Sequence, residues 1–264
     1  MKRFLILALA TMFFTSCSNN DSNETVVPAT TAEAKLTFDS KVGSADFALN
    51  KDFTVGSKTY NFKKLRYWVS NVSLVDSKGA EYKIPNAYYL IEEVGELDLT
   101  GTVNGNKNLY PARKRETIDF RDIPAGEYKS VKFSIGVDSK YNDNLSLGAG
   151  ELTIANGMSN IAWMWHSSYI FSSLAGSVKE GTETKDFTTE TGLNANYKTL
   201  TIDLATPVNF SNTKEIVLNV DVTKIFDGID PIKNPTISAM SPTLMSTVAD
   251  NYATKAIAFS TTVK

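Results

Sequence analysis

The feature that most constrains this fold is a series of short runs in which every second residue is apolar. The clearest is Tyr128–Val137, where Val131, Phe133, Ile135 and Val137 alternate with polar neighbours. Successive side chains of a strand point to opposite faces, so such a run puts its apolar members on one face. That face needs a second apolar surface to cover it. Comparable runs begin or lie at Lys35–Phe38, Tyr60–Asp76, Ala87–Ile91, Glu116–Phe120, Tyr197–Leu204, Glu215–Val220 and Ala256–Thr262. Gly56-Ser57, Ser77-Lys78-Gly79-Ala80 and the Pro124/Gly126 pair punctuate them as turns. Within Tyr60–Asp76 the apolar phase shifts at Ser70-Asn71, between Val69 and Val72, which predicts a bulge or bend.

Helical signals are few. Asp221–Phe226 reads as a short helix. Ser241-Pro242, followed by Leu244, Met245, Val248, Ala249 and Tyr252 at three- and four-residue spacing, predicts one C-terminal helix with Ser241 as its cap. Glu92–Arg113 reads as a long connection or weak hairpin, and Asp138–Gly157 and Ser177–Thr191 read as loops. The sum is an all-β chain: a β-sandwich of two mainly antiparallel sheets with one short C-terminal helix. No fixed period repeats, which argues against a propeller or solenoid.

The first residues follow a different logic. Lys2 and Arg3 precede an apolar run, Phe4–Phe14, then Thr15, Ser16 and Cys17. This is the pattern of a secretory signal over residues 1–16. A lone cysteine at the cleavage point predicts lipidation of Cys17, since a thiol there accepts a diacylglycerol group. Residues 17–31 are polar and aperiodic and read as the lipidated cysteine with a flexible tether, leaving 32–264 as the folded domain. The expected location is the cell envelope, at the outer membrane, with the lipid as the membrane contact. Cys17 is the only cysteine, so no intrachain disulfide is available. The chain carries a formal charge of -2 and one basic block, Arg113-Lys114-Arg115, so nucleic acid is not an expected partner. An envelope protein partner fits the compartment better.

Residues 160–176, NIAWMWHSSYIFSSLAG, hold Trp163, Trp165 and the only histidine, His166. Read as a strand, the odd positions give Trp163, Trp165, Ser167, Tyr169 and Phe171, a nearly aromatic face suited to packing sheet on sheet. His166 reads either as an ordinary hydrogen-bonded side chain or as a ligand. One histidine cannot build the usual zinc or copper set. Met158, Met164, Met240 and Met245 are thioether donors for Cu(I), or equally core fillers. Asp138, Asn142, Asp143 and Asn144 cluster in one stretch and offer oxygen ligands for calcium, without EF-hand spacing. Copper and calcium are thus the metals the residues allow, and neither is assigned. A Ser-His-Asp hydrolase is disfavoured: His166 and Ser167 are adjacent in a strand, and no G-x-S-x-G elbow exists.

Six stretches in order carry a resemblance: LRYWVSNVSLVDSKG (65–79), AYYLIE (87–92), IPAGEYKSVKFSIGVD (123–138), WMWHSSYIF with LAG (163–176), DVTKIF (221–226) and MSTVADNYATKAIAF (245–259). Together they resemble the MbnP-like family of secreted or lipid-anchored bacterial proteins, over roughly residues 34–260. The resemblance implies a sandwich-like β-domain, and the leading reading is a non-enzymatic one. In copper-binding members the resemblance implies histidine ligands after the Gly-Val-Asp strand, near a later Gly-containing loop and around a modified tryptophan of a Trp-x-Trp strand. By position these are Asp138–Asn144, Glu190–Gly192 and Ala239–Ser241, with Trp163-Met164-Trp165 as the Trp-x-Trp, while His166 stands where relatives often have Gln or Asn. This chain has no histidine at the first three. The site residues that follow are Trp163, Met164, Trp165, His166, Asp138 and Asp143, with a lipid-anchored binding or structural domain as the leading reading. Copper handling and a secreted hydrolase are the alternatives.

Overall fold

A computed structural model describes residues 31–100, 108–160 and 168–263. Its main strands are β1 (Thr31–Val42), β2 (Asp52–Val55), β3 (Lys58–Asp76), β4 (Glu81–Lys83), β5 (Tyr88–Val94), β6 (Arg113–Arg115), β7 (Thr117–Pro124), β8 (Glu127–Ile135), β9 (Ser168–Glu180), β10 (Glu183–Gly192), β11 (Lys198–Asn209), β12 (Glu215–Asp221), β13 (Thr236–Ile237) and β14 (Ile257–Val263). The smaller sheet runs β7-β1-β12-β14, and the larger runs β11-β8-β3-β9-β10-β13. Most pairs are antiparallel. The exceptions are β1 with β12 and β10 with β13.

The two sheets bury one core between them. Leu36 and Phe38 of β1, Ile118 and Phe120 of β7 and Leu218 of β12 meet Phe62, Leu65 and Tyr67 of β3 and Val131, Phe133 and Ile135 of β8. The Phe38 and Phe133 rings cross this gap edge to face, with centroids 5.3 Å apart. The alternation of β8 is what places Val131, Phe133 and Ile135 here. Val137 departs from that phase. Gly136, at φ 110°, breaks the strand, and Val137 joins a second core instead.

That second core lies on the far face of the larger sheet and contains Trp68, Tyr88, Leu90, Met158, Tyr169 and Phe171. It corrects the expectation for the aromatic strand. In β9 the even positions face the inter-sheet core, Leu174 opposite Leu65 of β3. The odd aromatics Tyr169 and Phe171 therefore point away from the smaller sheet. Tyr169 packs edge to face on Trp68, with centroids 5.9 Å apart. Residues 163–166 of the same stretch lie outside the described residues.

Ser177–Thr191, expected as loop, is largely a β-hairpin. β9 and β10 pair from Ile170↔Gly192 to Glu180↔Glu183 and close through Gly181 at φ 58°. Only Phe187, Thr189 and Thr191 of β10 are buried, so the sequence carries too little apolar alternation to announce a strand. The weak hairpin expected after Glu92 does form, with Leu97–Asp98 against Leu109–Tyr110.

The C-terminal helix is α2 (Pro242–Asn251), preceded in the chain by the one-turn α1 (Ser139–Asn142). Met245 and Val248 of α2 enter the main core. Ser241 stands at the start of α2 but does not cap it. Its hydroxyl turns back to Ser238, accepting from the backbone N–H at 3.0 Å and donating to the carbonyl at 3.1 Å. The short helix at Val222–Phe226 is of 3-10 type, and Asp221 caps it by accepting the Thr223 N–H at 3.0 Å. Asn251 Nδ2 locks α2 onto that turn through the Ile225 and Asp227 carbonyls, at 3.0 and 2.8 Å.

Candidate functional site

The far face of the larger sheet is not apolar everywhere. Thr199 of β11, Ser134 of β8, Ser70 of β3 and Tyr88 of β5 lie opposite one another across four strands. Ser134 and Thr199 join through their hydroxyls at 2.8 Å. One step along, Thr201, Lys132, Ser73 and Lys83 form a second row. Ser73, Ser134 and Thr199 line the floor of a cleft of about 510 Å³.

The wall of this cleft comes from the bulge expected at Ser70-Asn71. β8 advances by two positions, Lys132 to Ser134, where β3 advances by three, Ser73 to Ser70. Asn71 sits there at φ 51°, a left-handed conformation that asparagine tolerates better than most residues. The bulge aims its amide at the chain after β8. Asn71 Nδ2 donates to Asp138 Oδ2 at 3.0 Å and to the Tyr197 hydroxyl at 2.6 Å. The Tyr88 hydroxyl donates to the same Asp138 oxygen. Burial first, then the hydrogen bond to Asp138 and its charge, push the Tyr88 hydroxyl well above the ordinary phenol range. Tyr88 is therefore a fixed donor, and Asp138 accepts from it. The Tyr141 ring meets Tyr88 edge to face at 5.0 Å, and the Lys140 ammonium lies 4.7 Å from the Tyr141 ring centre. On the opposite rim, Lys132 holds Glu81 at 2.7 Å, which lowers the Glu81 carboxyl.

The oxygen donors expected to act together are shared out among separate partners. Asp138 belongs to the cleft. Asn142 is fully buried, accepting the Tyr169 N–H at 2.9 Å and donating to Asn194 Oδ1 at 2.8 Å. Asp143 accepts from Asn194 Nδ2 through both oxygens, at 2.8 and 3.0 Å. Asn144 Oδ1 accepts from the N–H and hydroxyl of Ser146. The four side chains do not point at one centre.

The methionines are dispersed too. Met158 fills the second core, Met245 of α2 sits in the main core, and Met240 is 81% exposed. Cys17, Trp163, Met164, Trp165 and His166 lie outside the described residues. Asn160 and Ser168, which flank the tryptophan segment, line a smaller cavity of about 140 Å³, together with Glu190, Thr191, Gly192, Ala239 and Met245. The structure thus gathers two chain stretches where the resemblance implied histidines. The residues present do not make a copper set. Glu190 Oε1 already accepts from Ser173 Oγ at 3.1 Å and lies 3.9 Å from Lys64 Nζ. Burial, only partly offset by Glu190, holds that amine below its ordinary range. Among the described residues no three His, Cys, Asp or Glu side chains gather as a metal site.

Tyr88, Tyr197 and Asn71 were not among the expected site residues. The phase shift at Ser70-Asn71 is the one sequence signal that marks Asn71. The tyrosines read as strand residues, and only the tertiary fold brings them to Asp138.

Fold and cleft define the class: an all-β, two-sheet sandwich with a second core and a polar cleft on the far face of its larger sheet. The MbnP family model matches residues 31–245, and the chain belongs to that family. Among solved structures, MbnP from Methylosinus trichosporium is similar, at 17% identity, covering 75% of this chain and 78% of that one with a TM-score of 0.48. No curated protein matches.

Proposed function

We propose that this protein is a lipid-anchored, non-enzymatic binding domain of the cell envelope, and that its ligand site is the cleft beside Asp138. The observation that carries the reading is the Tyr88–Asp138–Asn71–Tyr197 cluster. It pre-sets donors and an acceptor at the wall of an open cleft whose floor is hydroxyl-lined. Convergent polar groups in a concavity of this size are what a small polar ligand requires. Tyr88 is held as a proton donor far outside the range where it would exchange protons near neutrality, which suits recognition better than acid–base chemistry. The N-terminal pattern ending at Cys17 supports the anchor, and the acylated chain then works at a membrane surface.

The test is native mass spectrometry of the full chain purified in mild detergent from its own envelope. The wild-type protein is expected to carry a polar small molecule that Asn71→Ala with Asp138→Ala releases. An unliganded wild type, or a bound molecule unaffected by the double variant, contradicts the reading.

A second reading is copper handling, favoured by the family name and by the convergence of Glu190–Gly192, Ala239, Asn160 and Ser168 on one cavity. The donors described there do not supply it, so it rests on His166 and the tryptophans. Elemental analysis of the same native material decides it: stoichiometric copper lost in His166→Ala supports it, and no copper opposes it.

A further inference from the structure

We propose that the ligand of the Asp138 cleft is an acidic saccharide; this rests on the reading of the cleft as the binding site and assigns its chemistry. Two properties of the lining point there. The first is the floor. Ser73, Ser134 and Thr199 line it with hydroxyls, Ser134 and Thr199 bonded to each other and Ser73 to Glu81, and Asn71 and Asn86 add amides, of which the Asn71 Nδ2 is held by Asp138 and Tyr197. A polyhydroxylated ligand matches such a surface, because each of its hydroxyls both donates and accepts. Tyr141 lines the same cleft, packed edge to face on Tyr88, and puts an aromatic surface beside polar groups, which suits the C–H faces of a sugar ring.

The second property is charge. The chain as a whole is acidic, at -2. The cleft reverses the sign, with Lys83, Lys132 and Lys140 against Glu81 and Asp138. Glu81 is neutralised by Lys132. Asp138 is occupied by the Tyr88 hydroxyl and Asn71 amide. Lys83 and Lys140 form no salt bridge among the described residues, and Lys140 rests only on Tyr141, 3.1 Å from its hydroxyl. Two lysines without a salt bridge among the residues lining a hydroxyl-bearing cleft select a ligand with both hydroxyls and carboxylates. A cationic ligand would face this net positive rim, and a purely inorganic anion would leave the hydroxyl floor unused.

The experiment is isothermal titration calorimetry of the full chain in mild detergent with trigalacturonate, maltotriose and citrate. The expected result is trigalacturonate binding at least about ten-fold tighter than maltotriose and citrate. The affinity should fall about ten-fold in Lys83→Gln/Lys140→Gln and further in Asn71→Ala. Added salt should weaken it, as exposed charges are screened. These lysines are exposed and outside both cores, so the double variant is expected to fold, which its melting temperature checks. Equal binding of maltotriose overturns the acidic assignment while leaving the cleft as the site. Equal binding of citrate overturns the saccharide assignment. No binding of any probe overturns the proposal, and the native ligand seen by mass spectrometry then still decides the cleft itself.

Discussion

The backbone N–H of Tyr169 donates to the side-chain oxygen of Asn142 at 2.9 Å, and both residues are buried. This bond fastens the α1 turn, which follows Asp138, to the start of β9, directly after the tryptophan segment. Removing the acceptor leaves a buried N–H unsatisfied, at about 1–3 kcal/mol. Asn142→Ala is expected to lower stability by that amount in chemical denaturation. Asn142→Asp keeps the acceptor but buries a carboxylate against Asn194 Oδ1, so it should cost at least as much as Asn142→Ala.

Arg66 and Glu92 are cross-strand neighbours of β3 and β5, with 1% and 0% side-chain exposure, joined Nε to Oε2 at 2.8 Å. Tyr110 donates to the other Glu92 oxygen at 2.6 Å, and the Arg66 guanidinium lies over the Tyr110 ring. Glu92→Ala strands a buried cation, and about 3–5 kcal/mol of stability should be lost. The paired change Arg66→Met/Glu92→Leu should recover part of it, because no buried charge is then left unpaired, while Tyr110 and the half-exposed Arg113 still lose their Glu92 partner. Equilibrium unfolding in urea compares the two.

Alkaline pH should destabilise the fold through three tyrosines. Burial, as the largest cause, raises the hydroxyls of Tyr67, Tyr88 and Tyr252 above their ordinary value of 10.0. The unfolded chain releases these protons first, so the folded state binds more protons above about pH 10. Their contribution is full below that pH and is lost as pH rises, by up to ~1.4 kcal/mol per pH unit for each group. Thermal melts from pH 9 to 11.5 should show the decline, and Tyr67→Phe should make it shallower.

Cys17→Ser should abolish acylation and release the chain from the membrane fraction. Metabolic labelling with a radioactive fatty acid, followed by fractionation, reads both effects. An unlabelled wild type, or a variant that stays membrane-bound, places the anchor elsewhere.

The two-sheet fold was legible because one period-2 signal after another demanded a covering face. Val131, Phe133 and Ile135 point where their spacing says. Val137 does not, because Gly136 changes the backbone after the pattern has been read. The β9–β10 hairpin was hidden because β10 buries only three side chains and spends the rest on solvent. The aromatic phase of Tyr169 and Phe171 was visible, but not which side of the sheet it faced, since a second core has no signature of its own. Of the cleft, only Asp138 was legible as a site residue, and the phase shift at Ser70-Asn71 marked a bulge without marking Asn71 as part of a site. The cleft's tyrosines come from β5 and from the chain before β11, and their meeting is a property of strand order.

The most direct measurement of the central claim is the NMR of the tyrosine rings in the full chain, titrated with the low-molecular-weight fraction of its host's envelope. The chain has 11 tyrosines, spread over both cores and the surface. Shifts are expected to concentrate at Tyr88, Tyr141 and Tyr197 and to vanish in Asn71→Ala. Shifts centred on other tyrosines, or none at all, would contradict the claim.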